Sequence, residues 1–238
     1  MPTTTGVGHL ASLTIENYIK TIYQICVSAD GAPAATGKLA SALDVSPGTV
    51  TSMIKSLNTA NLVAYTPYEG VQLTDEGRSL ALRVLRRHRL IELFLVQTLN
   101  LSWDEVHEEA EHMEHAVSDL LVDRIDAFLG HPNRDPHGDP IPRADGSIPT
   151  GNTSALLDWP VGAKFCLTRV LDQSPDFLRF LSDSGLRLQT TGVVLSRNEA
   201  AGTATVSVDD RRITMALDAA RKLMVSPLSE EEATVDRP

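Results

Sequence analysis

Ser46-Pro47 dictates where one helix of this chain must begin. A serine at the N-cap accepts a backbone N–H of the first turn, and a proline at N1 sacrifices no hydrogen bond. The helix so opened runs to about Asn58, with Val50, Met53, Ile54 and Leu57 spaced for one buried face. Upstream, Leu13, Ile15, Ile19, Ile22, Tyr23 and Ile25 follow a helical period that Ala29-Asp30-Gly31-Ala32-Pro33 breaks. Thr36–Leu43 reads as a short helix and Asp44-Val45 as a turn; Leu62–Tyr65 and Val71–Thr74 read as strands around Pro67-Tyr68-Glu69-Gly70. Helix, turn, helix and hairpin in that order predict a winged helix-turn-helix.

The chain from Asp75 to about Gly130 is helical in pattern, and residues 131–160 form a Pro/Gly/Asp-rich connector. Beyond it, Lys164–Val170, Thr190–Arg197, Thr203–Val208 and Arg211–Ala216 alternate as strands do, with a helical insert at Asp176–Ser184. Several short strands in so short a stretch suggest a small β-barrel. The expected fold is mainly α with small β parts, divided at residues 1–74, 75–150 and 151–238.

Composition describes an ordinary globular protein, 42 % apolar and 22 % charged. No apolar run approaches the roughly 18 residues of a membrane span, and the first residues lack the pattern of a secretory signal. A cytoplasmic protein without a membrane partner is expected. Cys26 and Cys166 lie far apart in apolar segments and read as buried thiols.

A net charge of −10 argues against a nucleic-acid partner until its distribution is read. Residues 103–126 carry nine Asp/Glu and one Arg, whereas residues 78–89 carry five Arg and no acid; the tail 229–238 is acidic again. Surface elsewhere is left to be locally positive. The candidate DNA-facing residues are Ser46, Pro47, Thr49, Thr51, Ser52 and Lys55, small hydroxyls at a helix N-terminus and one phosphate cation. A winged helix serving only protein contacts is the competing reading.

The acidic stretch also carries imidazoles. As a helix, His107, Glu111, Glu114 and His115 fall at i, i+4, i+7 and i+8, an arc of about 100°. They stand beside an apolar stripe of Val106, Ala110, Met113, Val117, Leu120 and Leu121. Carboxylates crowded against a buried face repel unless protons or a cation neutralise them. His88 and Glu92 are a second pair one turn apart, while Glu108, Glu109, His112, Asp119 and Asp123 point to solvent. Oxygen and imidazole donors without thiolate suit Mn²⁺ or Fe²⁺. A di-metal carboxylate enzyme would need paired Glu-x-x-His steps. Glu109 and His112 form the only such step, so an enzyme is not expected; a metal-storage protein is a further rival.

Ile15–Tyr23, Ser46–Val50, Arg87–Glu92, His107–His115 and Pro136–Pro142 together resemble the diphtheria-toxin-repressor family of iron- and manganese-dependent transcriptional repressors. The resemblance runs from Leu13 to about Pro227 and implies a helical dimerisation part and a C-terminal SH3-like domain. It implies a homodimer on a palindromic operator in double-stranded DNA, with Mn²⁺ (or Fe²⁺) as corepressor at two sites per protomer. Carried over by position, the primary site is Asn17, Glu111, Glu114 and His115. The ancillary site is His88, Glu92 and His107, completed from the C-terminal domain by Asp172 or, second, Asp176. Glu111 stands where iron-type members have cysteine, which resembles the manganese-type branch. Asn17 replaces a methionine or aspartate, and Lys20 excludes the two-manganese cluster of short members.

Overall fold

The computed structural model describes residues 5–228, with side chains from Leu13 onward. The expectations drawn from the first four residues and from the acidic tail lie outside them. The described residues form two compact units: 5–88 with 114–117 and 142–147, and the remainder of the described residues.

In the first unit, α1 (Thr5–Ser28), α2 (Thr36–Ala42) and α3 (Pro47–Thr59) precede the antiparallel hairpin β1 (Val63–Thr66) and β2 (Gly70–Leu73). Apolar spacing on α1 and α3 buries Tyr18, Ile19, Ile22, Val50, Ile54 and Leu57 together. The chain leaves α1 through Asp30 and Gly31, both at positive φ, and Ala34 bridges Val71 beside the hairpin. Gly70 makes that approach possible: its φ is +117°, and a Cβ would meet the Ala34 carbonyl oxygen at 2.8 Å. This is the expected winged helix-turn-helix.

Helix α4 (Asp75–Leu99) passes from the first unit into the second at residue 89. α5 (Val106–Met113) and α6 (Asp119–Phe128) follow. The continuous helical arc expected through His115 is thus cut: α5 stops at Met113. Ser118 caps α6, its hydroxyl accepting from Leu121 N at 3.3 Å, so the chain must break the helix before it. Of the expected apolar stripe, Val106 and Ala110 are buried, but Leu120 and Leu121 are exposed together with Phe128.

The second unit ends in a six-stranded antiparallel sheet. Its strands are β3 (Ser154–Ala155), β4 (Lys164–Val170), β5 (Thr191–Asn198), β6 (Thr203–Val208), β7 (Arg211–Ala216) and β8 (Leu223–Ser226), in spatial order β3-β8-β4-β5-β6-β7. Phe165, Leu167, Val194, Val206, Leu223 and Val225 fill its core with Leu178 and Leu181 of α7 (Pro175–Asp183). Sequence reading placed β4 to β7 and α7 but missed β3, β8 and α8 (Leu217–Arg221). Neither cysteine is in a disulfide, and Cys166 is buried and Cys26 half-buried.

Candidate metal centre

Helix α1 presents Glu16, Asn17 and Lys20 within little more than a turn. Glu114 and His115 sit in the turn after α5, and these groups meet within the first unit. His115 Nε2 lies 2.8 Å from Asn17 Oδ1 and 3.2 Å from Glu114 Oε1. Its Nδ1 lies 2.8 Å from Glu16 Oε2. An ionised carboxylate only accepts, so Nδ1 carries a proton, while Nε2 faces two oxygen acceptors and is where a cation can take a proton's place. Arg87, 3.7 Å from the same Glu16 oxygen, steadies that carboxylate.

Glu114 is fully buried, and positive or donating groups face both of its oxygens. Lys20 Nζ lies 2.6 Å from Oε1 and His88 Nδ1 2.6 Å from Oε2. Burial pushes the Glu114 carboxyl up. The His88 hydrogen bond and the Lys20 ammonium together outweigh burial and hold it below the ordinary range.

Asn17 Oδ1, Glu114 Oε1 and His115 Nε2 therefore converge, with separations of 2.8 and 3.2 Å from the imidazole nitrogen. Octahedral ligands at roughly 2.1 Å from a small divalent cation stand about 3 Å apart. The residues fit such an ion, and the Lys20 ammonium marks where positive charge belongs.

In the second unit, Glu92 is 1 % exposed, and His107 Nδ1 lies 3.3 Å from its Oε1. His107 Nε2 lies 3.8 Å from Glu111 Oε1, one turn along α5. Asp172 and Asp176, expected to complete a site here, are engaged elsewhere. Asp172 accepts from Ser174 N at 2.9 Å and faces Lys222 at 3.2 Å; these contacts together outweigh its burial and lower its pKa. Asp176 is exposed and pairs with Arg179 at 2.6 Å. Neither joins a group of three potential metal ligands among the described residues. Neighbouring Lys222 and Arg179 engage the two carboxylates in this structure.

The connector supplies the residues that do face Glu92. Asp135 is 4 % exposed and His137 fully buried, and His137 Nδ1 lies 3.9 Å from Glu92 Oε2. Burial, reinforced by the charges of Asp139 and Glu92, pushes the Asp135 carboxyl well above its ordinary range. A carboxyl raised in this way binds its proton more tightly folded than unfolded. Stability is therefore full below the unfolded pKa and falls as pH rises towards the folded value. Asp135→Asn keeps the acceptor and removes the ionisation. In chelator at neutral pH we expect the variant to exceed the parent by about 1–3 kcal/mol in urea unfolding, with little difference near pH 4. A variant less stable at both pH values contradicts the assignment.

The DNA-facing candidates lie on α3. Ser46 Oγ caps Thr49 N at 3.1 Å and lies 2.8 Å from Thr49 Oγ1, while Thr51 Oγ1 donates to Pro47 O at 2.9 Å. Three of the expected hydroxyls thus serve the helix start. Ser52 and Lys55 are exposed, Pro47 is exposed at N1, and Thr51 is half-buried. Glu108, Glu109, His112, Asp119 and Asp123 are exposed as expected, so the Glu109–His112 step opens to solvent. Sequence reasoning did not single out Glu16, Asp135 or His137, which the structure brings into these two clusters. Glu16, adjacent to Asn17 and one turn before Lys20, was visible within a recognised motif.

Three family models match in succession. Residues 11–71 match the iron-dependent repressor N-terminal DNA-binding domain, 74–143 its metal-binding and dimerisation domain, and 155–227 the FeoA domain. The iron-dependent repressor IdeR of Mycobacterium tuberculosis is 31 % identical over 191 residues, covering 76 % of this chain and 80 % of that protein. The diphtheria toxin repressor of Corynebacterium diphtheriae is 32 % identical over 166 residues, covering 70 % and 69 %. Among solved structures, a manganese-dependent transcriptional repressor in complex with manganese is 40 % identical with a TM-score of 0.80, covering 90 % of this chain and all of that one. The manganese regulator SloR is 31 % identical with a TM-score of 0.74, covering 90 % and 98 %. The C-terminal sheet is accordingly the SH3-like FeoA part. No helix among the described residues is long and apolar enough to cross a membrane. Winged helix, metal-suited ligand cluster and FeoA domain thus follow one another along a chain that belongs to the diphtheria-toxin-repressor family of iron- and manganese-dependent transcriptional repressors.

Proposed function

We propose that this chain is a repressor whose homodimer binds a palindromic operator when Mn²⁺, or Fe²⁺, occupies its metal sites. It is a regulator and not an enzyme, and it works in the cytoplasm. Residues 1–74 carry the DNA contacts, 75–150 the metal and dimer functions, and 151–238 the SH3-like part. The observation that carries the reading is the meeting of Asn17 Oδ1, Glu114 Oε1 and His115 Nε2 around one point, with Glu16 fixing the imidazole. The resemblance adds Glu111 to this set and assigns His88, Glu92 and His107 to a second site in each protomer.

The cation, when bound, supplies a Lewis acid that ties α1 to the turn carrying Glu114 and His115. The chain's own part is ordering. Lys20 must release Glu114, His115 keeps its Nδ1 proton on Glu16, and α1 is held against that turn. Because α1 packs on the hairpin and on α2, its position sets the position of α3. Leu120, Leu121 and Phe128 on α6 form an exposed apolar surface of the kind a homodimer buries.

Equilibrium dialysis with Mn²⁺ tests the site directly: the parent binds, and Glu114→Gln loses one ion per protomer. Unchanged binding contradicts the assignment. On α3, Lys55→Ala is expected to weaken binding to every DNA sequence alike and to reduce the salt slope of log Kobs by about 1. A sequence-selective loss with an unchanged slope would instead make Lys55 a base reader.

A further inference from the structure

We propose that the cavity between the end of α1, strand β2 and the start of α4 binds a small organic monocarboxylate with an apolar body. The cavity lies wholly within the first unit and shares no residue with either metal cluster. Its volume is about 330 Å³, the lower end of the roughly 300–1,000 Å³ that small-molecule sites occupy. Tyr23, Cys26 and Val27 of α1 line it together with Leu73 of β2 and Asp75 and Arg78 of α4.

Two donors in this cavity lack partners. Tyr23 is 8 % exposed, yet its hydroxyl makes no hydrogen bond among the described residues. The Tyr18 hydroxyl is also unpartnered but is sealed in the core, whereas that of Tyr23 reaches the cavity. The Arg78 guanidinium lies over the Tyr23 ring, 5.6 Å from its centroid. Cation and ring face attract, so the guanidinium is held against the cavity wall. Arg78 forms no ion pair among the described residues, and neither does Asp75, one turn before it on α4. Its side-chain N–H groups therefore stay open to a ligand.

These donors select the charge of the ligand. A guanidinium presents paired N–H groups to the two oxygens of a carboxylate, and the phenol O–H adds a third donor. Asp75 beside them repels a second negative charge, which disfavours dicarboxylates and phosphate dianions. Burial pushes the Cys26 thiol up, so it stays neutral and forms part of the apolar wall with Leu73 and Val27. Val27 is 54 % exposed, and a ligand with an apolar body covers it. The frame is set by packing. A Cβ on Gly77 would collide with the Leu62 carbonyl oxygen, so only glycine lets the first turn of α4 lie this close. Gln72 Nε2 donates to Gly31 O at 3.3 Å and ties β2 to the chain leaving α1. A bound carboxylate joins α1, which also carries Asn17, to the hairpin and α4. Any effect of that on operator binding rests on the function proposed above; occupancy of the cavity does not.

Fluorine NMR of 4-fluorobenzoate with the full-length protein tests the proposal, in chelator so that no metal can bind the carboxylate. The expected result is saturable line broadening, reversed by unlabelled benzoate but not by inorganic phosphate at the same concentration. Arg78→Gln should weaken binding by about tenfold or more, and Tyr23→Phe by about threefold. Val27→Trp fills the cavity from its exposed rim, leaves every donor in place, and should abolish binding. Arg78 and Val27 are both exposed, so these two variants keep the core intact. No saturable binding, or binding that all three variants retain, overturns the inference. Equal displacement by phosphate makes this a general anion site and also overturns it. The Mn²⁺ count at Glu114 and His115 decides the proposed function separately, since the fluorine signal is read without metal.

Discussion

Replacing His115 with alanine is expected to leave operator affinity in saturating Mn²⁺ equal to that in chelator. Coupling between metal and DNA in such a switch is typically about 1–3 kcal/mol, or roughly 5–150-fold in affinity, and all of it should be lost. His115 is the group on which the site converges: Nε2 faces Asn17 and Glu114, while Nδ1 is held by Glu16. Alanine removes the ligand and the tie between α1 and the turn after α5. His112→Ala is the matched control, since its side chain is exposed and three residues away. Metal activation should survive in that variant. Fluorescence anisotropy on promoter DNA reads both, and a His115→Ala protein that still responds to Mn²⁺ places the switch elsewhere.

Lys20→Met should change the protein as much, in the opposite sense for metal. Lys20 and Glu114 are both buried and 2.6 Å apart. Breaking a buried ion pair from one side costs about 3–5 kcal/mol, because the remaining charge stays in a poorly solvating site. In chelator the variant should unfold at markedly lower urea concentration than the parent. Mn²⁺ then supplies the missing positive charge without having to displace an ammonium, so its affinity should rise by about tenfold or more, 1.4 kcal/mol. Calorimetric titration and urea unfolding with and without Mn²⁺ measure the two effects. Weaker Mn²⁺ binding in Lys20→Met would mean that the ammonium supports the site and does not compete for it.

The parts of the fold legible in the sequence were those written in local chemistry. Ser46-Pro47 marked the start of α3, and the structure uses the serine as a side-chain cap. The alternation of Lys164–Val170 and Arg211–Ala216 gave strands with those very bounds. What stayed hidden was set by packing at long range. Helical periodicity continues past Met113, yet the chain leaves α5 there, and Glu114 and His115 bond to α1 nearly a hundred residues away. β3 pairs only two residues, and β8 lies between β3 and β4, so neither shows its own period.

The site followed the same division. Residue types and spacing on α4 and α5 marked the metal-suited stretches, and the resemblance singled out Asn17. Neighbouring Lys222 and Arg179 engage the carboxylates of Asp172 and Asp176, which a one-dimensional alignment does not register. Asp135 and His137 escaped notice although Pro136–Pro142 was recognised as a family mark. Their inward aim depends on the positive φ of Gly138 and on Asp135 capping two backbone N–H groups, features of a folded turn and not of composition.

On the proposed reading a divalent cation gates DNA binding. Its most direct test is the affinity of the full-length protein for genomic promoter fragments at fixed ionic strength, in Mn²⁺ and in chelator, read by fluorescence anisotropy. Tighter binding in Mn²⁺ by roughly 5–150-fold is the expected result. Equal affinity under the two conditions contradicts the account.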